Sequence, residues 1–172
     1  MTIILWSHAL TALLFAGVAL TRLHEAGTAL PRLTFVVALG VTALWALAVA
    51  GIGANDLVTH IAESARNLAW LGFMFALVRR DRDAPETRAV AIIYGVVAMI
   101  VVAGAGLAIA EGAIRHDSLS ALATVSVLLR TMVAISALVL VNHLYSAVVP
   151  HDRGGIRLAV IGLAAMWSID LL

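Results

Sequence analysis

The sequence contains no cysteine, so no disulfide, thiolate metal site or cysteine nucleophile can form. It contains no lysine either. All 11 basic residues are arginine, which reads as codon usage rather than chemistry. Charge is scarce throughout: 12% of residues are charged against 63% hydrophobic, and the mean hydropathy is +1.05. A soluble domain of this size is typically about half apolar and a quarter charged. The composition therefore points to an all-α, polytopic integral membrane bundle whose first partner is the lipid bilayer. A net charge of +1 supplies no basic surface for nucleic acid. Catalytic signatures are missing as well. There is no phosphate-cradling Walker loop, no HExxH zinc helix and no GxSxG nucleophile elbow. A histidine phosphoacceptor box and ATP-binding glycine boxes are also lacking, and the links are too short to hide a catalytic domain. The chain alone is thus expected to be no enzyme and to carry no cofactor. Its amino terminus, MTIILW, has neither a basic region nor an A-x-A-type cleavage site, so the first apolar run reads as a retained span.

What is present is a series of six apolar runs. They cover about residues Ile3–Leu20, Leu33–Gly51, Ala62–Val78, Ala89–Ala110, Leu119–Tyr145 and Gly154–Leu172. Trp6 stands at the outer end of the first, where aromatic anchors prefer the interface. Asp83 followed by Pro85 signals the start of the fourth. Gly104, Gly106 and Ala108 in that span predict a close helix–helix approach. Arginine in the links sets the expected orientation. Links one, three and five hold Arg22, Arg32, Arg79, Arg80, Arg82, Arg88, Arg153 and Arg157, whereas links two and four hold Arg66 and Arg115. By the positive-inside rule the odd links are cytoplasmic and the amino terminus is outside. Residues 1–172 form one transmembrane domain, with no linker, internal repeat or low-complexity tract. The sixth run stops directly after Asp170 without a flanking anchor, as expected of an N-terminal fragment of a longer chain.

The fifth run, LSALATVSVLLRTMVAISALVLVNHLY, carries Arg130 in its interior. At ~1.5 Å per residue, Arg130 lies about 16 Å from Leu119 and about 22 Å from Tyr145. In a hydrocarbon layer ~30 Å thick this is near the midplane. An arginine there costs at least ~2.5 kcal/mol on insertion scales unless it meets a partner or a wet cavity. Arg130 precedes Pro150 by as many residues as Asp170 follows it. An antiparallel hairpin about that turn sets the two charges at one depth and predicts an intramembrane ion pair. The alternatives are a water-filled crevice or backbone carbonyls as partners.

Glu63, Asn67, Trp70 and Met74 recur at helical spacing on one face of the third span, with Arg66 beside them. Glu63 and Arg66 can satisfy each other locally. The face reads either as a polar site lining an outer vestibule or as a solvated helix end. Six histidines raise haem ligation, which needs two imidazoles at matching depth on facing helices. His8, His60 and His116 fall at the outer face and His24, His143 and His151 at the inner face, so none is deep enough. His8, Asp56, His60, His116 and Asp117, with Glu63 and Glu111 nearby, form a candidate outer pH-sensing or divalent-metal set, against the plainer reading of solvated interface residues.

Three stretches resemble one family. They are LWSHALTALLFAGVAL near the amino terminus, AESARNLAWLGFMFALVRR (62–80) with its E-x-x-R-N-x-A-W pattern, and VNHLYSAVVPHDRGGIRLAVIGLAAMWSIDLL (141–172). Together they are similar to the N-terminal membrane region of sensor histidine kinases of the PEP-CTERM/exosortase system, the PrsK type. The resemblance implies a multi-pass region in a bacterial inner membrane. Further spans and then cytoplasmic GAF-like, phosphoacceptor and ATPase domains would follow it. It also implies a homodimeric kinase whose response regulator, engaged through those missing domains, acts on exopolysaccharide and exosortase-linked genes. Glu63, Arg66, Trp70, Asn142, Tyr145 and Asp170 match the family-like pattern, which carries no established ligand residues. The function expected on this reading is sensory and anchoring, with an Arg130–Asp170 pair as the two-state element. The competing classes are a complete small transporter or channel-like protein and a structural subunit of a membrane complex.

Overall fold

The computed structural model describes residues 2–24, 31–80, 84–113, 119–148 and 155–171. These residues form six helices and no strand: α1 (Thr2–His24), α2 (Arg32–Ile52), α3 (Leu57–Arg80), α4 (Ala84–Ala113), α5 (Leu119–Val148) and α6 (Gly155–Ile169). A helix satisfies its backbone within its own segment, which lipid demands of any spanning element. The sequence also marks helix ends. Pro31 sits immediately before α2 and accepts the Phe35 amide at 3.1 Å. Gly53 closes α2 at φ +98°, a backbone region that L side chains rarely adopt, and donates its N–H to the Val49 carbonyl. Asp56 starts α3, its Oδ1 accepting the Val58 amide at 2.9 Å. Pro85 falls in the first turn of α4, where its missing N–H costs no helical bond.

Each helix packs against the next in sequence, and α3 also packs against α5. Helix α3, which touches α2, α4 and α5, is the centre of the bundle. Its Phe73, Met74, Leu77 and Val78 are buried against Tyr94 and Val97 of α4 and Ala137, Leu140 and Leu144 of α5. Val160, Leu163 and Trp167 of α6 extend the same core. By contrast, α1 packs against α2 alone and leaves Leu10, Leu13 and Leu14 exposed.

Four segments are long and apolar enough to cross a membrane: Leu5–His24, Arg32–Ile52, Arg88–Glu111 and Leu122–Ser146. The six expected spans thus reduce to four on length and composition. The apolar part of α6, Arg157–Ile169, is shorter, about 20 Å against a hydrocarbon core of ~30 Å. Helix α3 has 24 residues and so the necessary length, about 36 Å, but its charged residues lower its apolarity. Most of its surface is covered by other helices, so its composition is not set by lipid.

A second expectation also changes. A Cβ added at Gly104 or Gly106 would meet nothing within 4 Å, so these small residues do not mark a close helix approach. Gly104 and Ala108 instead border a cavity. Close packing falls at alanines elsewhere: Ala38, Ala46 and Ala137 have no exposed surface. Replacing Ala137 by Phe should therefore destabilise the bundle by about 1–3 kcal/mol in detergent thermal unfolding, whereas Leu13→Ala on the exposed face of α1 should change stability by less than about 0.5 kcal/mol.

Candidate functional site

The polar residues of α3 converge in its N-terminal half. Arg66 is 2% exposed, and a buried guanidinium must have all sides matched. One face lies over the Trp45 ring of α2, with Cζ 4.2 Å from the centroid, a cation–π contact. Its Nε and one terminal nitrogen donate to Asn67 Oδ1 at 3.3 and 3.2 Å. That terminal nitrogen also donates to Asp170 Oδ2 at 2.6 Å. The Asp170 residue follows directly on α6, whose backbone makes no close approach to α3 among the described residues. The long Arg66 side chain therefore bridges a gap that the helices leave open.

One helical turn away, Glu63 receives Arg130 of α5. One terminal nitrogen of Arg130 donates to both carboxylate oxygens, at 2.6 and 2.5 Å. The two pairs differ in exposure: the Arg130 side chain is 57% exposed and that of Arg66 3%. His60 Nδ1 lies 3.7 Å from Glu63. Trp70, a turn further along α3, donates its indole N–H to Thr42 Oγ1 of α2 at 3.0 Å, and Thr42 in turn donates to the Ala38 carbonyl.

This geometry corrects two expected pairings. Arg130 and Asp170 do not pair directly, and Glu63 and Arg66 do not satisfy each other along their own helix. The partners are exchanged across helices, Arg130 with Glu63 and Asp170 with Arg66. The hairpin arithmetic did bring Arg130 and Asp170 to one place, since both line the same cavity. It failed on the partner because counting about a turn sees only α5 and α6, while α3, which packs on α5 and reaches the end of α6 through the Arg66 side chain, supplies a charge to each. Met74 is fully buried core rather than part of a polar face. Trp70 is also buried, so this end of the stripe faces the inside of the bundle, while Glu63 and Asn67 line a cavity.

The cavity has a volume of about 150 Å³. Helix α3 contributes Glu63, Ser64 and Asn67, α4 contributes Gly104 and Glu111, α5 contributes Ser126 and Arg130, and the α6 end contributes Trp167 and Asp170. Trp167 was not singled out in the sequence, and Glu111 was named only as a neighbour of the outer pH-sensing or metal set. Each is a lone polar group at the end of an apolar helix, and only the fold shows that they share a wall.

Among the described residues the candidate outer metal set does not assemble. His8 packs edge-on against Trp45 with ring centroids 5.8 Å apart, Asp56 caps α3, and His60 stands beside Glu63. His116 and Asp117 lie outside the described residues. Among the described residues no three histidine or carboxylate side chains are grouped to hold a metal ion. Comparison with family models, with curated proteins and with solved structures finds no match to this chain.

The difference in burial ranks the two pairs. Asp170→Asn should leave the buried Arg66 guanidinium without its counter-charge and cost about 3–5 kcal/mol, the range for breaking a buried pair. Glu63→Gln, which leaves the 57%-exposed Arg130 free to reach water, should cost clearly less. Thermal unfolding of both variants in one detergent checks the order, and equal losses would contradict it.

Proposed function

We propose that this chain is the membrane-embedded sensory and anchoring region of a sensor histidine kinase of the PEP-CTERM/exosortase type, in a bacterial inner membrane. On this reading all six helices cross or enter the bilayer, with the amino terminus outside. The kinase type and its homodimer rest on the resemblance of the three stretches 5–20, 62–80 and 141–172. The sensory role rests on one observation: two ion pairs from α3 reach α5 and the end of α6 at the wall of a single cavity.

The mechanism follows from that geometry. Helix α6 is held by its packing on α5 and by the Arg66–Asp170 contact to α3. A ligand in the cavity that competes for Glu63, Arg130 or Asp170 changes the relative energies of two packings of α6. It shifts the equilibrium only by its differential affinity for them. The chain itself is non-catalytic; phosphoacceptor and ATPase domains, and the response regulator they engage, lie outside these residues.

A second reading is favoured by the acidic groups around the cavity, which also suit a small transporter with Glu63 or Asp170 on the path. Ion flux in proteoliposomes made from this chain alone would support it. Sequencing the encoding gene beyond codon 172 separates the two. The kinase reading expects the frame to continue through further spans into a phosphoacceptor helix and an ATP-binding domain. A stop at that codon would contradict it.

A further inference from the structure

The cavity carries an imbalance that its two ion pairs do not use. Arg130 neutralises Glu63, and Arg66 neutralises Asp170. Glu111, at the end of α4, lines the same space, and its Oε1 is buried without a hydrogen-bond partner. Among the described residues Glu111 is thus left without a paired cation, His60, which also lines the cavity, standing beside Glu63. A second polar atom is also unmatched: the indole Nε1 of Trp167, a residue only 1% exposed, which lines the same cavity. Buried polar groups are normally satisfied, and each exception calls for an explanation. Here an acceptor carrying charge and a neutral donor stand unmatched around one space.

The missing occupant can be specified from these two groups. It carries one positive charge, because the surplus is one carboxylate. It donates hydrogen bonds, because Glu111 accepts them. It also presents an acceptor oxygen to the Trp167 N–H. It is small, since about 150 Å³ is the size of a cavity that takes benzene. A bare metal ion fits poorly, because no cluster of three ligating side chains is present among the described residues and an indole N–H cannot ligate a cation. We propose that this cavity binds a small primary ammonium ion with an oxygen acceptor a few bonds away, the chemistry of ethanolamine. Free ethanolamine and the headgroup of phosphatidylethanolamine share that chemistry. The proposal deepens the sensory reading by naming its ligand class, and it rests on that reading for any signalling consequence.

The test is calorimetric titration of the whole chain in phosphatidylcholine nanodiscs with ethanolamine, with tetramethylammonium and acetate as controls. A parallel arm incorporates phosphatidylethanolamine and counts retained lipid by native mass spectrometry. The expected result is saturable ethanolamine binding, or selective retention of phosphatidylethanolamine, with neither control binding; the arm that responds identifies the source. Glu111→Gln should weaken binding by roughly tenfold or more, as for loss of a charged hydrogen bond. Gly104→Leu, which fills open space rather than removing a polar group, should abolish it while the helical circular dichroism is kept. Equal binding of tetramethylammonium, an undiminished affinity in Glu111→Gln, or no binding in either arm overturns the proposal. A gene frame that stops after codon 172 would remove the kinase reading and leave this titration untouched, so the two failures are distinguishable.

Discussion

The structure depends on neutralising the charges of α3 inside an apolar bundle. An arginine at the bilayer interior costs several kcal/mol when alone, and a buried carboxylate stripped of its partner is similarly unfavourable. Helix α3 carries both, Glu63 and Arg66, and sends each to a different neighbour. This accounts for its central place. A helix with that composition is unfavourable facing lipid, and in the bundle it is surrounded by α2, α4 and α5. The apolar helices α1, α2, α4 and α5 supply the lipid-compatible exterior.

That arrangement has a mechanical consequence. Apolar contacts between helices are numerous and individually weak, so they tolerate small shifts. The Arg66–Asp170 contact is single and directional, and it joins two helices whose backbones do not otherwise meet among the described residues. Trp45 under the guanidinium and Asn67 beside it fix Arg66 in place, so the variable partner is Asp170 at the end of the short helix α6. Buried networks of this kind are held firmly when every member is satisfied and lose much when one is removed. A ligand at the adjoining cavity wall thus acts where a small change in local charge has the largest effect on helix position.

Much of the fold was legible in the sequence. The six helices follow from the apolar runs, and the breaks at Pro31, Gly53 and Asp56 follow from local chemistry that any reader of turn and cap residues can see. Residues 63–70 were legible as a polar stripe because their spacing repeats at the helical period. Its destination was not, because a stripe facing a vestibule and a stripe facing a bundle interior have the same sequence. The ion pairs were half legible. Arithmetic about the last turn placed Arg130 near Asp170, yet pairing depends on which third helix reaches them with its own charges, and spacing along the chain carries no information about that. Gly104 misled for a related reason. A small residue permits a close approach but equally permits a void, and only the neighbours decide. The shared wall of Glu111 and Trp167 was not visible in the sequence, since among the described residues helices four and six do not touch and border one cavity only because both pack on α5.

The most direct test is a distance between α3 and α6. The absence of native cysteine allows spin labels at Ile61→Cys and Ala165→Cys without further changes, and pulsed electron–electron resonance in nanodiscs then reads their separation. If the Arg66–Asp170 contact holds α6, the parent should give one narrow distribution, and Asp170→Asn should broaden it or move it to longer distance. An identical distribution in the two proteins would show that apolar packing alone positions α6 and would contradict the account.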